Sequence, residues 1–315
     1  MHDNATAPED MVALSLVAGA GRKTVYSALR LAARLRRPLS ALFGAPLREL
    51  LRDAAPGEEN AVEALTRCGE RETAQAKWLL KCARDGGVEF VRAGSPGYPA
   101  FLTVALGDQA PLLLFYRGNE ALLESPGAGI VGTRKPTREA GRLAAASADL
   151  FAGEGIPVVS GGAAGVDLAA HEAALKSDGS TIVILPEGLQ IYDPPSVLRA
   201  GVAHGQVLLV SEFLPTDGWQ THRAMTRNRT IAACSALVCV IEPREKGGSM
   251  FTAEQALIGG KPVFYWGGAC RDGALRGRQG ALRLTDARGG LRKSALLKAA
   301  QLEKARPPEQ IGLFD

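Results

Sequence analysis

The hydrophobic pattern of the chain changes near Val88. Upstream, residues 10–85 repeat apolar positions with helical spacing, and a glycine-rich turn at Ala18–Thr24 separates the first two helices. Downstream, short runs of Val, Ile and Leu alternate with helical segments, which is typical of a parallel sheet covered on both faces. The pattern predicts strands at Leu112–Tyr116, Gly129–Gly132, Pro157–Ser160, Thr181–Leu185, Val207–Ser211, Ala236–Ile241 and Pro262–Tyr265, and helices at Arg138–Ala152, Val166–Lys176, Arg223–Cys234 and Ser249–Ile258.

These elements predict an α/β fold, in which an extended Rossmann-like, doubly wound, mainly parallel sheet follows a small helical domain. We expect residues 1–85 to form the helical domain, of helix-hairpin-helix or SAM-like type, and residues 86–268 to form the Rossmann-like domain. Residues 269–315 are expected to be a basic flexible tail with one short helix and a C-terminal peptide motif.

Composition is that of a globular protein, with 46% hydrophobic and 22% charged residues among 315. No apolar run is long enough to span a membrane, and the acidic start of the chain differs from a signal peptide, so a cytoplasmic protein is expected. Residues 271–315 carry ten Lys or Arg against five Asp or Glu, whereas the whole chain has a net charge of +4. Any polyanion site must therefore be a local patch.

The five cysteines and four histidines are isolated from one another. No Cys-x-x-Cys spacing or His cluster is present, so the sequence predicts reduced thiols, no metal site and no cofactor.

Two strand ends carry candidate anion-binding loops. One strand runs into Gly132–Lys135 and another into the glycine-rich run Ser160–Gly165. Glycine lets backbone N–H groups approach an anion, and the following helix presents its positive end there. The alternative is that these glycines only make tight turns, but the presence of Arg134 favours anion binding.

A third candidate is the triplet Arg227-Asn228-Arg229, which supplies two bidentate phosphate donors and an amide that can read a base edge. The alternative is an ordinary solvated helix face. A fourth candidate, Gly247–Glu254, follows a strand, and its glycines could admit a phosphate while Ser249 or Thr252 caps the next helix.

Asp167 and His171 lie four residues apart and so share one helix face. A catalytic carboxylate–imidazole pair is one interpretation. A helix-start carboxylate with a core histidine is the favoured one.

Together these residues carry a resemblance to the DNA-processing protein A (DprA/Smf) family. The matching pieces, in the family's order, are Gly97-Tyr98-Pro99 with Leu102, Val131–Arg134, Ser160–Asp167 with His171, Gly179 and Thr181, Gly188-Leu189, Ser211-Glu212, Arg227–Ala232, and Lys246–Ser249 with Thr252-Ala253.

The resemblance implies a non-enzymatic protein that binds single-stranded DNA and loads RecA recombinase during natural transformation. It also implies homodimerisation through the Rossmann-like domain. The expected DNA-binding residues are Gly132, Thr133, Arg134, Lys135, Ser160, Gly161, Gly162, Gly165, Arg227, Asn228, Arg229, Lys246, Gly248 and Ser249.

The chain departs from the family pattern at two places. Ala164 replaces an arginine of the glycine-rich signature, and Ala224-Met225-Thr226 replaces a Phe-Pro-basic stretch before Arg227. An alternative function is a nucleotide-processing enzyme similar to nucleoside monophosphate phosphoribohydrolases, with Glu254 as its general base. Met250 and Phe251 stand where that enzyme motif needs smaller residues.

The last six residues, Gln310–Asp315, resemble the peptide by which bacterial DNA-metabolism proteins dock on the replication sliding clamp. There Gln310 would hydrogen-bond at the rim, and Leu313 and Phe314 would fill an apolar pocket. The alternative is that this segment folds back on its own domain.

Overall fold

The computed structural model describes residues 6–268 and 275–304. It divides into two compact units. The described part of unit 1 comprises residues 6–98 and 106–114, and that of unit 2 comprises residues 99–105, 115–268 and 275–304.

Unit 1 is mainly helical, as the sequence predicts. Its elements are α1 (Pro8–Leu16), α2 (Arg22–Leu35), α3 (Leu47–Asp53), α4 (Glu59–Arg67), α5 (Glu70–Asp85) and β1 (Glu89–Arg92), with short 3-10 turns at Leu39–Leu42 and Gly107–Gln109. Helix α2 shows the apolar periodicity from which these helices were predicted. Its buried residues recur three or four positions apart, as in Val25, Leu29 and Ala32. The helix ends where Arg36 adopts a left-handed conformation, with φ of 53°.

The boundary between the units differs from the predicted break at residue 85. Residues 86–98 and 106–114 belong to unit 1. Two buried tyrosines explain this, because Tyr26 donates its hydroxyl to the carbonyl of Ala110 at 3.3 Å and Tyr98 donates to Pro111 at 2.7 Å. The first hydrogen bond ties residues 106–114 to helix α2, and the second joins the two later segments to each other. Such long-range contacts leave no periodic signal in a sequence.

Unit 2 contains a doubly wound sheet, which confirms the predicted fold class. Its described strands lie in the order β2-β6-β5-β4-β3-β7-β8-β9. Strand β2 is antiparallel to β6, and the other neighbouring pairs are parallel. The strands are β2 (Leu113–Gly118), β3 (Gly127–Gly132), β4 (Val158–Ser160), β5 (Thr181–Leu185), β6 (Val207–Ser211), β7 (Ser235–Ile241), β8 (Val263–Trp266) and β9 (Ala281–Arg283).

Helices cover both faces of this sheet. They are α6 (Ala100–Leu106), α7 (Arg138–Gly153), α8 (Val166–Lys176), α9 (Ser196–Ala203), α10 (Thr221–Ala233), α11 (Gly248–Ile258) and α12 (Lys293–Lys304), and Glu120–Leu123 forms a 3-10 turn. Residues of α7, α8 and α12 share one buried cluster with β3 and β7, while α10 and α11 pack against each other and against β7. Every residue of β5, β6 and β7 is buried, which explains why their sequences read as continuous apolar runs.

Part of the segment expected to be a flexible tail, residues 275–304, packs against the sheet. Strand β9 pairs with β8, with Leu282 opposite Phe264, and Leu284, Leu296 and Ala300 are buried in the core. None of the three residues of β9 is buried and Leu284 enters the core only after the strand ends, so this stretch of sequence has no apolar run that would predict a strand. The peptide motif with Gln310, Leu313 and Phe314 lies outside the described residues.

His171 is a core residue of α8 and is fully buried. Its Nδ1 lies 2.6 Å from Thr181 Oγ1, and that hydroxyl donates to the Val158 carbonyl at 2.8 Å. Because the Thr181 hydroxyl donates its proton to Val158, it accepts a hydrogen bond from His171. Nδ1 of His171 is therefore protonated, and Nε2 is not. Nε2 is buried and has no hydrogen-bond partner among the described residues. Burial, assisted by the charge of Arg227, lowers the pKa of His171 to about 3.

This histidine should make folding stability depend on pH. An unfolded chain binds a proton at His171 near pH 6.5, whereas the folded chain does not. The stabilising contribution is therefore complete above pH 6.5 and is lost progressively as the pH falls toward 3. The loss reaches about 2 kcal/mol at pH 5. Urea unfolding of the wild type and His171→Asn at pH 7, 6 and 5 tests this, since Asn keeps a donor for Thr181. The variant should show the shallower pH dependence, and equal slopes would contradict the assignment.

Candidate functional site

A cavity of about 380 Å³ lies at the point where the strand order reverses. Strands β4, β5 and β6 follow on one side of β3, whereas β7 and β8 lie on its other side. The loops leaving β3 and β7 diverge there, and ligands of doubly wound folds bind at such a switch point. The cavity is lined by Val131, Gly132, Thr133, Arg134, Ala163, Asp167, Trp219, Thr221, Ala224, Met225, Arg227, Asn228, Arg244, Lys246, Gly247, Gly248, Ser249 and Thr252.

The cavity is strongly positive. Its lining has four cations, Arg134, Arg227, Arg244 and Lys246, against the single carboxylate of Asp167. Three of the cations are exposed at the mouth, and Arg227 is buried. A concave surface of one sign with low-dielectric walls concentrates counter-ions, so the arrangement favours an anion.

Arg227 is the most constrained of these cations. It lies in the middle of α10, and only 6% of its surface is exposed. No described residue accepts a hydrogen bond from the guanidinium, and its Nε is enclosed without a partner. Burial lowers the pKa of Arg227, which the Asp167 carboxylate opposes and Arg134 reinforces. An enclosed cation without acceptors is costly, so this group is incomplete without an anion.

Gly161 provides the space for that guanidinium. A Cβ atom at this position would overlap Nη1 of Arg227, so the loop after β4 accepts only glycine there. The Gly161 N–H donates to Asp167 Oδ2 at 3.2 Å, and Ala163 also donates its N–H to this carboxylate. Burial raises the pKa of Asp167, and Arg227 lowers it. These N–H groups hold the buried carboxylate, whereas the sequence analysis expected them to face a phosphate.

The loop after β4 also fixes the loop after β3. Gly165 has φ of +90°, and a Cβ there would collide with the backbone carbonyls of Thr133 and Arg134. The first N–H of α8, at Val166, donates to the Thr133 carbonyl at 3.1 Å. Arg134 is therefore presented at the cavity mouth from a backbone that two elements hold in place.

The structure brings together eight of the fourteen residues predicted for this site. Those that line the cavity are Gly132, Thr133, Arg134, Arg227, Asn228, Lys246, Gly248 and Ser249. The amide of Asn228 donates to the Gly248 carbonyl at 3.3 Å, which joins α10 to the start of α11.

The other six predicted residues do not line the cavity. Ser160 donates its hydroxyl to the Ile130 carbonyl, and the Arg229 guanidinium lies 5.7 Å from the centre of the Phe251 ring. Gly161 and Gly165 act through the contacts described above. The remaining two, Gly162 and Lys135, lie in the loops after β4 and β3.

Two lining residues were missed by the sequence analysis. Trp219 is 50% exposed at the cavity, and Arg244 follows β7. The sequence did contain a signal for Trp219, because a tryptophan within the polar stretch Asp217–Thr221 does not occupy a predicted core position and so indicates a functional surface residue. Ala164 stands where the family resemblance leads us to expect an arginine, so it supplies no charge. Arg244 and Lys246 nevertheless keep the cavity positive.

The residues considered for catalysis do not meet at the cavity. Glu254 is not part of the lining, and its Oε1 lies 3.7 Å from Arg278 Nη1. His171 hydrogen-bonds to Thr181 in the core. Within the described ranges, no cluster of three His, Cys, Asp or Glu could hold a metal ion, and no described helix is long and apolar enough to cross a membrane.

A doubly wound sheet with a basic cavity at its switch point defines a Rossmann-like protein whose cavity is suited to an anion. Residues 89–299 match the family model described as DNA recombination-mediator protein A. The chain therefore belongs to this family, and the resemblance drawn from its motifs is confirmed.

Individual relatives agree with this assignment. The DNA processing protein DprA of Streptococcus pneumoniae is 35% identical over 169 residues, which is 53% of this chain and 60% of that protein. Its counterpart from Bacillus subtilis is 33% identical over 62% of this chain and 65% of the relative. The alignments thus span less than two thirds of these curated relatives. The X-ray structure of the Streptococcus pneumoniae protein superimposes with a TM-score of 0.67 at 24% identity, covering 85% of this chain and 89% of the other, and it supports the fold.

The burial of Arg227 leads to a stability prediction. Because its guanidinium has no acceptor in the free protein, and because removing it alone would leave the buried Asp167 carboxylate unpaired, the test changes both groups. The double variant Arg227→Met with Asp167→Asn, which keeps an acceptor for the loop N–H groups, should leave the free energy of unfolding unchanged or raise it by about 1–4 kcal/mol. Inorganic phosphate should stabilise the wild type and not this variant. Urea unfolding with and without phosphate measures both effects.

Lys261→Met is the matched control. Lys261 is as buried as Arg227, at 7% exposed, but its Nζ donates to the carbonyls of Ala232 and Ala233 at 3.0 and 2.7 Å. Its loss should lower the free energy of unfolding by about 1–3 kcal/mol. A comparable loss in the double variant Arg227→Met with Asp167→Asn would show that the arginine is a satisfied structural cation.

Proposed function

We propose that this protein binds the sugar-phosphate backbone of single-stranded DNA in the switch-point cavity, without catalysing a reaction. One observation carries the proposal, namely the buried guanidinium of Arg227, which has no acceptor and lies in a cavity with a net charge of +3. A phosphate diester supplies the acceptors and the charge that this group lacks. Arg134 and Lys246 at the mouth hold the neighbouring phosphates.

The rim of the cavity favours a single strand over a duplex. Trp219 is 50% exposed and Met225 is 38% exposed, so an apolar surface lies beside the cations. Unpaired bases can stack on such a surface, whereas the base faces of a duplex are covered. A volume of about 380 Å³ also suits one nucleotide unit rather than the side of a duplex.

We further propose the biological role that family membership suggests, which is recombination mediation during natural transformation. In this role the protein protects incoming single-stranded DNA and loads RecA recombinase on it. A homodimer formed through the Rossmann-like domain is part of this proposal. So is docking of Gln310, Leu313 and Phe314 on the sliding clamp, which the described residues do not test.

The first functional prediction concerns Arg134. Arg134→Ala should weaken binding of a labelled oligothymidylate by about 1–3 kcal/mol, because one charge-assisted contact is lost. Each lost phosphate contact should also reduce the slope of log affinity against log salt by about 0.7. Fluorescence anisotropy at several salt concentrations measures both quantities.

Lys176→Ala removes an exposed charge from the end of α8, at the opposite edge of the sheet, and serves as the control for Arg134→Ala. It should leave affinity and slope unchanged. Equal affinity of the wild type for duplex and single strands would contradict the proposal, as would unchanged binding by both Arg134→Ala and Arg227→Ala.

The second functional prediction concerns Trp219. Trp219→Ala should weaken single-strand binding by about 1–3 kcal/mol, the range for losing one stacked base, while Trp219→Phe keeps most of the affinity. Stacking should quench the intrinsic fluorescence of the wild type on titration with oligothymidylate. Trp78→Phe, which alters another exposed tryptophan, should retain that quenching and Trp219→Phe should lose it. Quenching that persists in Trp219→Phe would place the bases elsewhere.

A further inference from the structure

We propose that single-stranded DNA leaving the cavity continues across a second basic surface, formed by the start of α7 and the loop between β9 and α12. We call this the α7–α12 surface and define it by Arg138, Arg142, Arg288, Arg292 and Lys293. The inference rests on the proposed function of the cavity. It adds a longer DNA path made of residues outside that cavity.

The sheet places this surface on the same edge as the cavity. Strands β3, β7, β8 and β9 run parallel to one another, so their carboxyl ends share one edge. The loop that follows Arg283 therefore emerges on the side where Arg134 follows β3. Three strand spacings separate β3 from β9, which is about 14 Å.

The two parts of the surface meet each other. A shallow cavity of about 390 Å³ is lined by Glu139, Arg142, Leu143 and Ala146 of α7 together with Gly289, Leu291 and Lys293. Helix α7 begins four residues after Arg134. Arg138 and Arg142 thus connect the mouth of the first cavity with the loop before α12.

The charge of this surface is not neutralised within the described protein. Residues 275–301 carry seven Lys or Arg against one acid, Asp286. The Asp286 carboxylate accepts from the backbone N–H groups of Arg288 and Gly290 at 2.8 and 2.9 Å, so it is occupied in shaping the loop.

Two further acids lie near the start of α7. Glu139 is exposed, and Glu242 accepts from the Thr137 N–H at 2.8 Å. All five cations of the surface are exposed, and none forms an ion pair with a described acid. Five cations against three acids leave a net charge of +2, which makes the surface attractive to an extended polyanion.

The cations are carried on a well-packed support. Leu284 and Leu296 are fully buried on either side of the loop, and Thr285 pairs with Leu291 across it. A fixed array of cations that continues from a phosphate site suits the backbone of the strand already bound there. Continuity with Arg134 favours this occupant over an acidic protein or an anionic membrane.

The test compares short and long oligonucleotides on the full chain. Arg288→Gln, Arg292→Gln and Lys293→Gln are combined in one variant, and binding is measured to oligothymidylates of about 6 and about 20 nucleotides. The variant should bind the short strand as the wild type does. It should bind the long strand at least tenfold more weakly, with a salt slope lower by about 2, the value for three lost phosphate contacts.

The matched control removes three exposed cations at the opposite edge of the sheet. Lys176 ends α8, and Arg276 and Arg278 precede β9, so Lys176→Gln, Arg276→Gln and Arg278→Gln change the net charge by the same amount. This control should bind both strands like the wild type. Circular dichroism confirms that each variant is folded.

Several outcomes would overturn the inference. Unchanged binding of the long strand would remove the surface from the DNA path, and equal losses for the control would reduce the effect to net charge. A loss for both strand lengths would place these residues in the first cavity. If the wild type bound neither strand, the proposed function itself would fail. Binding by the wild type therefore distinguishes failure of the proposed function from failure of this inference, which concerns only the variants.

Discussion

The placement of Arg227 is the constraint on which the rest of the site depends. Burying a guanidinium without acceptors costs free energy, and three separate elements accommodate it. Helix α10 carries it inward, Gly161 leaves room for it, and Asp167 offsets part of its charge. The same carboxylate receives the N–H groups of the β4–α8 loop, so that loop, the counter-charge and the cation form one structural unit. This unit is complete in the free protein, so binding of the proposed anion would need little rearrangement.

The doubly wound sheet explains how residues far apart in sequence reach this unit. Arg134 follows β3, Asp167 follows β4, and Lys246 follows β7, while Arg227 lies on the helix that leads into β7. Parallel strands deliver all their carboxyl ends to one edge, and the reversal of strand order opens a gap between the loops after β3 and β7. Because β3 is the central strand of this arrangement, hydrogen-bonded to β4 and β7, small shifts in its loop are resisted from both sides.

The sequence predicts much of this architecture, for reasons visible in particular segments. Strands such as Thr181–Leu185 and Val207–Ser211 are buried on both faces and read as unbroken apolar runs, and they were located to the residue. Strand β9 was missed because it is three residues long, none of its residues is buried, and Arg and Gly surround it. The loop N–H groups were assigned to a phosphate because sequence cannot reveal that Asp167 folds back to accept them. Trp219 was missed because its importance arises from the tertiary position of the segment before α10.

Buried and exposed cations make different contributions to binding a polyanion. An exposed arginine is hydrated and screened, so its attraction weakens as salt rises and carries little geometric information. A buried guanidinium has already lost its hydration, so it distinguishes ligands by whether they provide acceptors in the right place. Under the proposed function the buried Arg227 has the second role, whereas the exposed Arg134, Lys246 and the five cations of the α7–α12 surface have the first.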